Sequence, residues 1–242
     1  MAIYGLSDLH LAKSVDKPMD VFSNAWENYM DRIRENWEKT VGPDDTVLVA
    51  GDISWATYLT EIRKDFEFID SLPGHKILSR GNHDYWWTTV KKMERYIGEE
   101  GFSSFAFLQN RAMEIGDVLV GATRGWMLPG DAEFHEDDRK IFDREVIRLD
   151  LCIKDMDRID PLRERKRILM IHYPPKTKFS GGTRFTDVIE EGGIDLCVYG
   201  HLHGHGHKNV IEEEGNGTLY RCISSDYVGF MPVRLDELLN VK

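Results

Sequence analysis

The chain has 242 residues, within the range of one large α/β domain, and its 41% hydrophobic content, with 11 Phe, 9 Tyr and 6 Trp, supplies a sizeable core and excludes wholesale disorder. Asp and Glu number 42 against 31 Lys and Arg, a formal charge of -11, so the surface as a whole repels nucleic acid and anionic membrane, and no long nucleic-acid partner is expected. Three cysteines, Cys152, Cys197 and Cys222, stand in no CxxC spacing and offer neither a disulfide framework nor a zinc clip.

From the N-terminus, a strand over 3–6 opens the chain (MAIYGLSDLH) with no basic region ahead of it, and no stretch reaches the ~18 consecutive apolar residues of a membrane span. The expectation is a cytoplasmic protein without membrane contact. Val21, Phe22, Ala25, Trp26, Tyr29, Met30, Ile33 and Trp37 then fall on one face of a helix starting near Pro18, whose ring suits a first turn. A strand over 46–50 precedes a second helix carrying Tyr58, Leu59, Ile62, Phe66 and Ile69, and a strand over 76–78 follows it. Strands over 105–108 and 117–122 come next, then an insertion-like segment, 128–139, dense in acid. Phe142, Val146, Leu149, Ile153 and Met156, at spacings of three and four, mark a third helix. Strands over 167–171, 195–199 and 218–223 complete the series, with a second insertion-like loop at 175–183. This alternation is the pattern of an α/β protein. No repeat or linker divides it, so 1–242 reads as one domain.

Residues able to bind metal sit where those strands end. The first runs into Ser7-Asp8-Leu9-His10, the second into Gly51-Asp52, the third into Gly81-Asn82-His83-Asp84; later, 167–171 ends at His172 and 195–199 at Gly200-His201-Leu202-His203. In open α/β sheets the carboxyl ends of strands line the ligand crevice. Asp carboxylates, an Asn amide oxygen and imidazoles form a mixed nitrogen and oxygen set suited to manganese, iron or zinc, and less to calcium or magnesium. Glycines at 51, 81 and 200 allow the backbone to approach closely. Taken singly, an Asp-x-His or a Gly-Asp is more often a turn than a ligand; five such blocks, all at strand ends, are hard to explain as turns alone.

The five blocks resemble the calcineurin-like metallophosphoesterase superfamily, whose pattern is D-x-H, GD, GNH[DE], a lone H and GHxH, and within it the small bacterial predicted phosphohydrolases. The resemblance spans residues 8 to 203. It implies a four-layer αββα sandwich, two mixed β-sheets face to face and flanked by helices, with two divalent metal ions per chain at one edge, manganese first, iron or zinc as alternatives. Carried over residue by residue, it assigns Asp8, His10, Asp52 and His203 to one metal and Asn82, His172, His201 and again Asp52 to the other. His83 is then no ligand but the general acid facing the substrate. The implied reaction is hydrolysis of a small phosphomonoester or phosphodiester, a nucleotide being one option, by in-line attack of a hydroxide bridging the metals. A bell-shaped pH profile follows, since ligand histidines must be neutral and His83 protonated.

Gly51-Asp52-Ile53-Ser54-Trp55-Ala56 departs from the GDxVDRG signature of Ser/Thr protein phosphatases and demotes that activity. Two other classes stay in view: a catalytically idle scaffold of the same fold, disfavoured by the complete ligand set, and a single-metal amide or ester hydrolase, disfavoured by the Asn82-His83 pair. Substrate identity, ester type and oligomeric state stay open. Outside the blocks, Arg124 is a candidate for a phosphate oxygen and Trp126 for stacking on a ring, against an ion pair and a loop aromatic. Tyr85-Trp86-Trp87 reads as packing rather than a site wall, and Asp84 as a helix cap rather than a partner of His83. The run Arg163-Glu164-Arg165-Lys166-Arg167 reads as a solvated loop, Lys91-Lys92 as helical, and His205, His207, His75 and His135 as non-ligands.

Overall fold

The computed structural model describes residues 1–17, 19–21, 23–178 and 180–239. β1 (Ile3–Leu6) is followed by two 3-10 turns, Met19–Val21 and Asn24–Trp26, and by α1 (Tyr29–Thr40). β2 (Thr46–Val49), α2 (Arg63–Ser71), β3 (His75–Leu78), α3 (Val90–Glu100) and β4 (Phe105–Phe107) come next, then the antiparallel pair β5 (Arg111–Ile115) and β6 (Val118–Thr123). The remaining elements are α4 (Glu136–Ile159), β7 (Lys166–Ile171), α5 (Arg184–Glu191), β8 (Leu196–Tyr199), β9 (Glu214–Gly215), β10 (Thr218–Cys222) and β11 (Val233–Arg234).

Two mixed sheets result. One has the order β11-β1-β2-β3-β4, parallel but for β11; the other has β5-β6-β7-β8-β10-β9, parallel but for its two edge strands. Alternation along the central strands shows why the sheets stack. Val47 and Val49 of β2 pack with Trp37 of α1 and Phe66 and Ile69 of α2. Leu48, between them, and Ala50 face instead a cluster with Val120, Ile168, Met170 and Val198 of the other sheet. On the far side of that second sheet, Leu169, Ile171, Cys197 and Tyr199 meet Phe142, Leu149 and Met156 of α4 and Phe185 and Ile189 of α5. Three apolar layers therefore separate four structural ones, the expected αββα sandwich, and buried strands read as continuous apolar runs because both faces are covered.

Several expectations are corrected. The first helix begins at Tyr29, because Asn28 adopts a left-handed φ of 53° that breaks the helical path; Val21 is 73% exposed, and Pro18 and Phe22 lie outside the described residues. Tyr58 is exposed and α2 starts only at Arg63, although Ile62, Phe66 and Ile69 are buried as anticipated. The last residues of 128–139 are not an insertion: Glu136, Asp137 and Asp138 form the first turn of α4, where carboxylates favour the helix N-terminus. In the loop at 175–183, Phe179 lies outside the described residues, and Thr183 caps α5 by accepting from Thr186 N–H. Arg167 does not sit in a solvated loop. It is 1% exposed in β7, donating to Asp157, at 2.7 Å, and to the carbonyls of Asp160 and Gly192. The edge strands β5, β9 and β11 carry too little apolar periodicity to be anticipated. Among the described residues no helix is long and apolar enough to cross a membrane.

Candidate metal and catalytic centre

The carboxyl ends of β1, β2 and β3, neighbours in one sheet, and of β7 and β8, neighbours in the other, meet along one edge. The seam between the sheets closes at Ser7: its N–H donates to Ile223 O at 2.8 Å, and its carbonyl accepts from Ser225 N–H at 3.0 Å and Ser225 Oγ at 2.6 Å. Past β1 and β2 the two segments stay paired, with Asp8 N–H on Gly51 O and His10 N–H on Asp52 O, each at 2.9 Å. Asp8, His10, Asp52 and His201 have φ of 60°, 45°, 52° and 71°. Such left-handed residues cost conformational energy, tolerated best by Asp, Asn and His, and they concentrate at functional sites.

All seven ligand-type side chains gather there. His203 Nε2 lies 3.3 Å from Asp8 Oδ1 and 3.2 Å from His10 Nε2. Asp52 Oδ2 lies 3.7 Å from His10 Nε2 and 3.4 Å from His172 Nε2. Asn82 Oδ1 lies 2.7 Å from His172 Nε2 and 3.0 Å from His201 Nδ1. Two groups, Asp8 with His10 and His203, and Asp8 with Asp52 and His172, each bring their donor atoms within 4.8 Å of one another. Buried carboxylates and imidazole nitrogens turned towards each other are a lone-pair-rich arrangement that a divalent cation satisfies, so the residues fit a metal.

The electrostatics divide the histidines into two kinds. Burial pushes His10 down to about 4 and His201 down to about 3, so both rings are neutral near pH 7. Burial also opposes charge on His172 and His203, but the Asp52 carboxylate takes His172 up to about 9, and Asp8 with Asp226 takes His203 up to about 10. Conversely, although burial would raise Asp8 and Asp52, His203 and His172 hold these carboxyls below the usual carboxylate range.

The three glycines are required by crowding. A Cβ on Gly51 (φ 93°) would stand 2.7 Å from His172 Nδ1; one on Gly81 would overlap the Asp52 carboxylate, and one on Gly200 would overlap Ser7 Oγ and Asp8 Oδ2. Asp84 caps no helix, since α3 begins at Val90 after Thr89. It is fully buried and accepts from the N–H groups of Gly81, Asp52, Ile53 and Ser54 and from Trp86 Nε1, which ties the second and third blocks together. Burial and the Asp52 charge raise its carboxyl to about 6.

His83 stands beside the cluster. Its N–H donates to Asp52 Oδ1 at 2.8 Å, its ring lies 4.5 Å from Trp55 and 5.7 Å from His10, and burial lowers its pKa. Arg124 lies 3.3 Å from the fully buried Glu145, which Arg144 and Arg148 also approach, and its guanidinium covers the Trp126 ring. Trp126 donates to Asp138 Oδ1 at 3.0 Å, tilts against Tyr173, and lines a cavity of about 320 Å³ that reaches His201. Trp86 and Trp87 are buried against Phe107, while Tyr85 is exposed. His75 and His135 are exposed and His205 lies on the rim.

Two features escape sequence reasoning. Asp226, past β10, accepts from His203 Nδ1 at 2.8 Å and lies 3.2 Å from His207 Nε2; its only signal is an Asp just beyond a strand end. Trp55, four residues after Gly51, stacks on His10 at 5.0 Å with rings 23° apart.

A four-layer αββα sandwich with an Asp, Asn and His cluster at the carboxyl ends of its strands defines a metal-dependent hydrolase class, and a family model agrees. The chain belongs to the calcineurin-like phosphoesterases, whose model matches residues 1–205, and it is a phosphoester hydrolase by that membership. Among solved structures it is similar in fold to a protein of unknown function, AQ665, from Aquifex aeolicus, at 16% identity and a TM-score of 0.53 over 100% of this chain and 99% of that one. It is also similar to TT1561 of Thermus thermophilus, at 12% identity and a TM-score of 0.50 over 83% and 81% of the two chains. No curated protein matches the sequence.

Proposed function

We propose that residues 1–242 form one metallophosphoesterase domain that hydrolyses a small phosphomonoester or phosphodiester at two divalent metals, manganese being the first choice and iron or zinc the others. The observation that carries this reading is the position of Asp52 Oδ2, which faces His10 Nε2 on one side and His172 Nε2 on the other. Asp8, His10, Asp52 and His203 would hold one ion; Asp52, Asn82, His172 and His201 would hold the second. When bound, such ions supply Lewis acidity towards phosphoryl oxygens and a hydroxide nucleophile near neutral pH.

The chain's own residues do the rest. Asp226 fixes the His203 ring so that Nε2 faces Asp8. His172 Nδ1 donates to Ala50 O at 2.9 Å, which leaves Nε2 for the site. His83, in the cavity wall, donates a proton to the ester oxygen as its bond to phosphorus breaks and water's oxygen bonds phosphorus in its place. With -11 formal charge overall, the substrate is a small molecule rather than a long polyanion, and a cytoplasmic location fits the free thiols.

The test is elemental analysis with turnover of aryl phosphate and bis-aryl phosphate after manganese loading. Two ions per chain and activity abolished in Asp52→Asn are expected; one ion per chain, or full loading without turnover of either ester, would sink the reading.

A further inference from the structure

We infer that Arg80 is the contact of an anion-binding site beside the metal-type cluster, set in the positive field of the arginines around Glu145, and that its ligand is a phosphate group other than the one the metals would hold. That phosphate is either a second one on the substrate or free inorganic phosphate. The site is independent of the phosphoesterase reading; its assignment to the substrate rests on that reading.

Strand ends bring the charges together. Arg80 follows β3 and immediately precedes Gly81 and Asn82, and Arg124 follows β6. The segment after β4 joins the two: Leu108 N–H donates to Leu78 O at 2.9 Å, Gln109 Oε1 accepts from Arg80 N–H at 3.3 Å, and Asn110 N–H donates to Ala122 O at 2.7 Å. The backbone of Arg124 is tied to the cluster in turn, its carbonyl accepting from the N–H groups of His172, at 3.1 Å, and Tyr173, at 3.0 Å. The Arg124 guanidinium covers Trp126, whose ring tilts against Tyr173, and the Tyr173 ring lies 4.2 Å from that of His201.

The charges do not cancel there. Glu145 Oε1 is shared by Arg124, Arg144 and Arg148, at 3.3, 3.4 and 2.7 Å, so one fully buried carboxylate faces three guanidinium groups. Asp138, the acid on the Trp126 ring, accepts from Trp126 Nε1 and His135 N–H. Burial lowers the Arg124 pKa against the pull of Glu145, and the charges of Arg80 and Arg148 lower it further. Arg124 is occupied by Glu145 and Trp126, whereas Arg80 has no such partner. Among the described residues its half-buried guanidinium pairs with no carboxylate, and its Nε is buried without a hydrogen-bond partner. Arg stays charged and can only donate, so a partly desolvated guanidinium without an acceptor costs free energy that an anion removes. Its planar fork matches phosphate oxygens, and the unmatched charge exceeds one, which favours a phosphate dianion over a carboxylate. The cavity on the His83 side, about 690 Å³ and lined by Met19, Trp26, Trp55, His83, His10 and His203 among others, includes no Lys or Arg in its described lining, so a second phosphate on the substrate meets its counter-charge on the Arg80 side.

The test has two arms. In the first, the metal-free full chain is titrated with inorganic phosphate by calorimetry at low ionic strength, so that no metal competes for the anion. Saturable binding is expected, weakened by added salt and by about tenfold in Arg80→Gln, the effect of one charge-assisted contact. Arg80→Lys, which keeps the charge and loses the fork, should fall between them and serves also if the glutamine variant melts early. In the second arm, the manganese-loaded chain is given propyl and hexyl phosphate against propane-1,3-diyl and hexane-1,6-diyl bisphosphate. A bisphosphate that exceeds its monophosphate in kcat/KM by about tenfold or more, in a ratio that falls towards the statistical value of about two in Arg80→Gln, assigns the site to a second phosphate of the substrate. Phosphate binding in the first arm without that preference assigns it to free phosphate. Phosphate binding unaltered by Arg80→Gln overturns the inference. So does the absence of both saturable phosphate binding and bisphosphate preference in a protein that cleaves aryl phosphate, which leaves the phosphoesterase standing. If no phosphoester is cleaved, the reaction falls and the first arm decides the site.

Discussion

Asp226 Oδ1 accepts a 2.8 Å hydrogen bond from His203 Nδ1, while Nε2 of the same ring faces Asp8 Oδ1 at 3.3 Å. The carboxylate therefore selects both the tautomer and the orientation of a ring that needs a free Nε2 lone pair to bind metal. Carboxylates placed behind metal-binding histidines are typically worth about 10–100-fold in metal affinity or activity. On the two-metal proposal, Asp226→Asn should weaken the manganese site that His203 serves by that factor and spare the other, read by competition with a chelating dye. Equal weakening of both sites would show that Asp226 acts on the fold.

Gly200→Ala should be far more disruptive than its chemistry suggests. The added Cβ would overlap Ser7 Oγ and Asp8 Oδ2, whereas at Gly206 it would meet only Leu202, no closer than 3.7 Å. We expect Gly200→Ala to lose about 3 kcal/mol or more of stability and to load less metal, and Gly206→Ala to stay within about 0.5 kcal/mol of the parent. Urea unfolding of the pair checks this; similar midpoints would refute the crowding argument.

Metal binding should release protons. In the metal-free protein His172, raised to about 9, and His203, raised to about 10, are protonated at pH 7, whereas His10 and His201 are neutral. Ligation requires neutral imidazoles. Titration calorimetry with manganese in buffers of different protonation enthalpy should show about two protons released per chain at pH 7, and affinity should rise with pH by up to about tenfold per unit for each proton displaced. The linkage for the metal-free fold has the opposite sign. Both histidines sit above their ordinary 6.5, so their pairs stabilise fully below that pH and the stability fades as pH rises through about 9 and 10. Metal-induced gains in Tm should therefore grow between pH 6.5 and 9. Their constancy across that range, with no proton release, would contradict the pairing. In its proposed role as the acid His83 acts protonated, and burial lowers its pKa, so on that proposal the basic limb of the activity profile should fall below the ordinary imidazole value.

Arg124 offers a direct choice between two roles. Its guanidinium is paired with Glu145, which is fully buried. Arg124→Ala should cost about 2 kcal/mol, since Arg144 and Arg148 still cover the carboxylate, and should leave KM for aryl phosphate within about twofold. Unchanged stability with a KM about tenfold higher would mean that Arg124 holds a phosphate oxygen.

The sequence by itself determined the α/β class of fold and the placement of metal-type residues at strand ends, because both are written in local patterns. A strand over 3–6 appears as β1 and the stripe from Phe142 to Met156 as the buried face of α4, since apolar period reports which side of an element is covered. The metal-type residues were legible because each follows its strand within a few positions. Only the tertiary structure decided which further acid matters and what surrounds the cluster. Ser225 reaches Ser7 across 218 positions, and that seam carries Asp226 to His203. Asp84 turned inward rather than capping a helix because four backbone N–H groups, three of them more than 29 positions earlier in the chain, converge on it. Trp55 and Trp26 became walls of a cavity because β1 and β2 lie side by side, which brings their two following loops against His10. Strand pairing and sheet stacking create these contacts, and no local period encodes them.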